Sequence, residues 1–192
     1  RGAKGTLDKA GTEAARECSN ARNRQNKTLE VAVDTIEAKI HKYDLLENRI
    51  LFVRLENDDR FPAELNGLVA MKLCAKFKRP TIVARLNKEG YDRGSMRGMN
   101  QSELTSFKDF LEKSGMFEYV QGHDNAAGVS IDDDYLSKFH KWANEALQGI
   151  DFGENCYDVN FERIAADEDI RDLILDIGEH NGIWGQSNNE PL

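Results

Sequence analysis

The 192-residue chain carries 34 acidic against 26 basic side chains, a net charge of −8, with 40% hydrophobic and 31% charged residues. That length suits one compact domain plus a flanking element. The lack of any run of about eighteen apolar residues excludes a membrane-spanning helix, and no signal-peptide pattern precedes the first helix, so a cytoplasmic protein with no membrane partner is expected.

A helical pattern runs over residues 9–42, where Ala14, Cys18, Ala21, Leu29, Val33, Ile36 and Ile40 recur at three- and four-residue steps. Asn20-Ala21-Arg22-Asn23-Arg24-Gln25-Asn26-Lys27 puts a polar waist in that pattern, which leaves two helices or one long connecting helix. Residues 50–55 form a short run of strand formers. Pro62 then opens a helix whose core face is predicted to hold Leu65, Leu68, Val69, Lys72, Leu73 and Phe77. Arg79-Pro80 ends it, and residues 81–86 read as a second buried strand. Strand, helix and strand at this spacing predict a parallel pair joined by a right-handed crossover.

A turn at Glu89-Gly90-Tyr91-Asp92 leads into Arg93-Gly94-Ser95-Met96-Arg97-Gly98, a hairpin partner strand. Residues 101–113 read as a helix with Leu104, Phe107, Phe110 and Leu111 inward, closed by Ser114-Gly115. A strand at 116–120 follows, then a loop from Gly122 leading to a strand that ends near Ile131. Asp132-Asp133-Asp134 suit the positive start of a helix over 132–147, with Tyr135, Phe139, Trp142 and Leu147 inward and Gly149 as its stop. A strand at 157–161 and a helix at 167–177 complete an α/β fold with helices flanking a mixed sheet.

The three cysteines (Cys18, Cys74, Cys156) form no CxxC pair, so free thiols are expected rather than a zinc site. The charge is uneven. Between Met71 and Gly98 eight basic residues face Glu89 and Asp92, whereas residues 150–192 carry eleven acids against Arg163 and Arg171. Screening confines each field to about 10 Å, so an acidic chain with one basic sector can still hold a polyanion there. The same sector is compatible with a plain solvated face of an α/β interaction domain.

Two short motifs carry chemistry. In Gly94-Ser95-Met96-Arg97-Gly98 the hydroxyl and the guanidinium stand two residues apart, so an extended strand sends both from one face. Such a pair can cradle a phosphate, or be a hairpin with an incidental surface arginine. Gly122-His123-Asp124-Asn125-Ala126-Ala127-Gly128 is poor in side-chain bulk, which lets a ligand approach the backbone. Its His123 can donate to a phosphoryl oxygen, or be a satisfied structural histidine.

These motifs, in this order after Gly67-Leu68-Val69-Ala70 and Arg79-Pro80-Thr81-Ile82-Val83, resemble the DHH-associated domain of RecJ-like exonucleases and related phosphodiesterases. The resemblance covers residues 46–147. It implies substrate-phosphate contacts from Gly94, Ser95, Arg97, Gly122 and His123, with His123 acting as an assisting phosphate clamp. Trp184-Gly185-Gln186-Ser187-Asn188-Asn189-Glu190-Pro191 resembles the stretch that leads into the OB-like domain of RecJ enzymes. The implied organisation is a connector helix over 1–45, a DHH-associated substrate-binding domain over 46–150, and a linker with the start of an OB-like domain over 151–192.

Gln121 stands where the family's second motif has its first glycine. No DHH triplet is present, and the four histidines (His41, His123, His140, His180) are scattered. No metal site is therefore expected in this chain. The resemblance places Mn²⁺ or Mg²⁺ in a catalytic DHH domain of the full-length protein. The chain, which opens at Arg1 without an initiator methionine, is expected to be a piece that binds single-stranded DNA or short oligonucleotides and cleaves nothing alone. Alternatives are part of an oligoribonuclease or dinucleotide phosphodiesterase, and a non-catalytic nucleic-acid-binding module such as the C-terminal appendage of alanyl-tRNA synthetases.

Overall fold

The computed structural model describes residues 9–56, 61–100 and 102–152. The strand expected at 157–161, the helix at 167–177 and the motif at 184–191 lie outside these residues.

Helix α1 (Lys9–Lys42) runs unbroken through the polar waist. Its inward stripe is buried only from Leu29 onward, through Ala32, Val33, Ile36 and Ile40. Ala14, Cys18 and Ala21, expected to face a core, are exposed. Their spacing is helical, but it does not bring these three side chains into the core.

Strand β1 (Leu51–Leu55) leads through a 3-10 turn at Ala63–Leu65 into helix α2 (Asn66–Phe77). Lys78 takes the left-handed conformation at the end of α2 (φ 52°), and the chain enters strand β2 (Thr81–Leu86). Arg79 fastens this corner by donating from Nη1 to the carbonyls of Leu46 and Asn48, both at 2.7 Å. Strand β3 (Tyr91–Arg97), helix α3 (Phe107–Lys113), strands β4 (Phe117–His123) and β5 (Ala126–Asp132) and helix α4 (Asp133–Ala146) follow.

The strands form one five-stranded sheet in the order β1-β2-β3-β5-β4. β1 and β2 are parallel and the remaining pairs antiparallel, so the sheet is mixed as expected. Alternate residues serve two cores. Phe52, Ile82, Ala84, Met96, Val129 and Ile131 pack with Phe107, Leu111 and Phe139 of α3 and α4. Leu51, Val53, Leu55 and Val83 pack with the buried stripes of α1 and α2 on the other face. There α2 packs on β2 and β3, whereas Gln121 and His123 on β4 are exposed.

Three local expectations are corrected. The helix expected from Gln101 starts at Phe107, because Ser106 Oγ accepts from Asp109 N at 3.1 Å and caps it there. Ser102 Oγ bonds the carbonyls of Met99 and Leu104 and holds the preceding segment in a non-helical turn. Gly122 and His123 lie within β4, not in a loop, and the turn is Asp124-Asn125 alone. Lys72 and Tyr135, assigned to core faces, are exposed. Both sit on amphipathic helices, where one step of rotation moves a residue from core to water.

Candidate functional site

Strand register brings the two sequence motifs together. Arg97 and His123 both pair with Ala126, so the three form one row across β3, β5 and β4. Ser95, Gly128 and Gln121 form the next row. Side chains two apart on a strand share a face, so Ser95 and Arg97 stand on one side of a shallow trough and Gln121 and His123 on the other. Two strand spacings separate the sides, about 10 Å. The floor is Ala126 and Gly128. A Cβ on Gly128 would meet nothing closer than 3.8 Å, so packing does not demand glycine there, and its absence of side chain keeps the floor open.

The trough is closed beyond Ser95 by a polar knot. Ser130, fully buried, donates to Glu118 at 2.7 Å, and Glu118 pairs with Arg93 at 3.6 Å. Arg93 also pairs with Glu89 at 3.5 Å.

On the near side, the first turn of α2 rests on the arginine. A Cβ built on Gly67 would fall 2.7 Å from Arg97 Nη2 and 3.7 Å from Ser95 Oγ. Arg97 Nη1 meanwhile donates back to the Met96 carbonyl at 2.7 Å. The guanidinium is thus parked at the partly positive end of a helix. An isolated cation is disfavoured there by about 0.3–1 kcal/mol, and an anion is favoured by a similar amount.

The sequence motifs contain glycines of a second kind. A Cβ on Gly94 would sit 2.0 Å from the Val83 carbonyl of β2, and Gly122 has φ +144° with Ala126 O at 2.6 Å from a would-be Cβ. Both residues permit strand packing and backbone geometry instead of reaching into the trough.

Asn125, to which the sequence assigned no role, ties the site together. Its carbonyl accepts from Gly98 N at 2.9 Å, directly after Arg97. Its side chain accepts from Phe107 N and donates to the Thr105 carbonyl, both at 3.3 Å. Lys108 N donates to the Asp124 carbonyl at 2.8 Å. The turn carrying His123 is therefore pinned to the start of α3 and to the end of β3. Asparagine at a two-residue turn was the available signal. Gly67 was legible only as a helix glycine, because its partner Arg97 lies thirty residues on.

Two neighbouring groups have perturbed proton affinity. Burial pushes the Cys74 thiol up to about 11, partly opposed by Arg97 and Lys78, and its Sγ lies 3.6 Å from the Gly98 carbonyl. Asp92, buried at the far end of β3, is raised by desolvation, with Arg54 opposing it through a bond from Nε at 2.9 Å. That carboxylate stands five residues from Arg97, about 17 Å along the strand, and takes no part in the trough.

The metal ions expected with RecJ-like chemistry do not fit these residues. Asp132 Oδ1 accepts from Asp134 N as the helix cap, and Asp133 is paired with Arg54. His41 packs on Phe77 and His140 on Phe52. Among the described residues, no group of three or more histidine, cysteine or carboxylate side chains could hold a metal, and no helix is long and apolar enough to cross a membrane.

No family model matches the chain. It is 33% identical over 183 residues to YorK of the SPbeta prophage in Bacillus subtilis (strain 168), named as a single-strand DNA-specific exonuclease, and to YorK of Bacillus phage SPbeta. The match covers 94% of this chain and 31% of either relative, so the chain spans about a third of their length. Among solved structures, RecJ of Thermus thermophilus in complex with Mn²⁺ superposes with a TM-score of 0.64 at 16% identity, covering 97% of this chain and 26% of RecJ. The Mg²⁺ complex gives 0.60 at the same identity, covering 97% and 28%.

Proposed function

We propose that this chain, which is similar to YorK and to RecJ, grips the phosphates of single-stranded DNA for an exonuclease whose chemistry lies elsewhere in the protein. The observation that carries this reading is the Arg97 guanidinium parked against the first turn of α2 at Gly67, beside Ser95. Two positive features of one locality are reconciled when an anion lies beside them. A phosphate there takes the arginine fork and the Ser95 hydroxyl, both donors to its oxygens. Across the open floor, the exposed His123 ring donates from the opposite side. The chain's net charge does not oppose this, because the site draws on its local basic sector.

Residues 1–45 then act as connector, 46–150 as substrate-binding domain, and 151–192 as a linker into a further domain. Mn²⁺ or Mg²⁺ would be held by a DHH domain outside this chain. Holding the strand fixed while that domain works lowers the entropic cost of reaction.

The test is fluorescence anisotropy with a phosphorylated oligodeoxythymidylate. Arg97→Ala should weaken binding and reduce the slope of log affinity against log salt by about 0.7, the single-strand value for one phosphate contact. Wild-type affinity in Arg97→Ala removes the arginine from the grip. Degradation of the oligonucleotide by this chain with Mn²⁺ would sink the division of labour. An equal or greater affinity for an oligoribonucleotide would redirect the reading toward an RNA-cleaving relative.

A further inference from the structure

Helix α1 runs parallel to α2. Glu37 pairs with Lys76 near the end of α2, Glu30 and Asp34 lie beside Lys72 and Ala75, and Arg24 and Thr28 lie beside Pro62 and Leu65, just before α2 begins. The polar waist of α1 is thereby carried to the same end of the domain as Gly67 and Arg97. Between the waist and the 3-10 turn runs a groove of about 770 Å³, with Ala21, Arg22, Arg24 and Gln25 on one side and Pro62 and Leu65 on the other.

This side of α1 continues the stripe that is buried from Leu29 onward, yet every residue from Arg16 to Lys27 is exposed. The charge changes sign at the same point. Arg16, Arg22, Arg24 and Lys27 face only Glu17 within that stretch, whereas Glu30, Asp34 and Glu37 follow Thr28. Glu64 lines the groove, and Glu17 lines a neighbouring cavity shared with Arg24. Its exposed walls are mostly apolar, and long basic side chains contribute carbon stems to such walls while keeping their charged ends in water. Its donors are guanidinium and amide groups, the types that contact phosphate and sugar.

We propose that the groove between the α1 waist and the Pro62–Leu65 turn is a second nucleic-acid subsite, in which Arg22 and Arg24 hold phosphates of the strand beyond the one gripped at Arg97. The inference rests on the phosphate-grip reading and extends it. The bound strand leaves the trough past the start of α2 and follows α1, so affinity depends on strand length and the basic waist contributes only to the longer ligands.

The experiment measures binding of this chain to a phosphorylated dithymidylate and to an oligodeoxythymidylate of about twelve nucleotides, a length that more than fills one small single-strand site. Arg22→Ala/Arg24→Ala should leave dinucleotide affinity unchanged and lower the salt slope for the longer strand by about 1.4, two contacts at about 0.7 each. Over an about fourfold rise in salt, the wild type then loses roughly sevenfold more affinity than the variant. Both positions are exposed, so the variant should unfold like the wild type. Lys138→Ala/Lys141→Ala removes the same charge from α4 and should leave the slope unaltered. An unchanged slope in the α1 variant, an equal loss for both ligands, or an equal effect of the α4 variant would overturn the subsite. Wild-type dinucleotide binding by Arg97→Ala would instead overturn the phosphate grip itself.

Discussion

Gly67→Ala separates binding from stability more cleanly than any substitution of the charged residues. Gly67 lies in the first turn of α2 without a positive φ, so alanine fits the backbone there. Helix propensity favours alanine by up to about 1 kcal/mol, which raises the unfolding midpoint by roughly 2–4 °C in a chain of this size. The new Cβ, however, would stand 2.7 Å from Arg97 Nη2. The guanidinium is the far end of a flexible side chain and can retreat, but only by leaving the start of α2. Losing hydrogen bonds to a charged group costs about 1.5–3 kcal/mol, or roughly tenfold to a hundredfold in affinity. Thermal unfolding and oligonucleotide anisotropy on the same preparation should thus move in opposite directions. Gly94→Ala is the contrast: its Cβ would meet the Val83 carbonyl at 2.0 Å, a backbone atom in the β2–β3 ladder, so stability and binding should fall together. Undiminished phosphate affinity in Gly67→Ala, or a loss of stability like that of Gly94→Ala, would refute the reasoning.

Asn125→Ala should cost about 1–3 kcal/mol in urea unfolding, because Phe107 N and the Thr105 carbonyl lose their partner, and the loosened turn should weaken oligonucleotide binding through His123 beyond that stability loss. Burial holds the His140 imidazole below its ordinary 6.5. The unfolded chain therefore takes up this proton first as the pH falls; stability from the neutral ring is complete above 6.5 and is lost on acidification through it. His140→Phe should flatten that segment of a stability–pH profile, and an unchanged slope would exclude the residue. Peptide mapping after maleimide treatment should find exposed Cys18 modified in the native chain and Cys74 modified only on unfolding, since its buried thiol is raised to about 11.

The elements most legible in the sequence are those whose signals are local. Pro80 and the strand formers around it mark β2, and Asp132 announces α4 because its side chain caps Asp134 N. Periodicity also found the correct side of α1. It could not tell that the stripe at Ala14, Cys18 and Ala21 would be left uncovered, because burial depends on what another element brings to that side. The start of α3 was hidden for a related reason. Ser102 and Ser106 are both capping residue types, and the choice is made by carbonyls at Met99 and Leu104 and by the N–H of Asp109.

The candidate site divides along the same line, and the division changes what its glycines mean. In Gly94-Ser95-Met96-Arg97-Gly98 the two-residue period of a strand sends Ser95 and Arg97 to the trough, while Met96 enters the opposite core. Gly94 answers to the neighbouring strand, and Gly98 to Asn125, whose Oδ1 would lie 2.2 Å from a Cβ there. Gly122 is held by its own φ of +144°. These glycines let the sheet close so that two remote side chains share a row with His123. Gly67 and Gly128 are the ones whose missing side chains leave room at the trough itself, and neither belongs to the charged motif that drew attention to it. The reaching groups could be picked out residue by residue, but the space they reach into is made by register between β3, β5 and β4 and by the approach of α2, which exist only after long-range pairing.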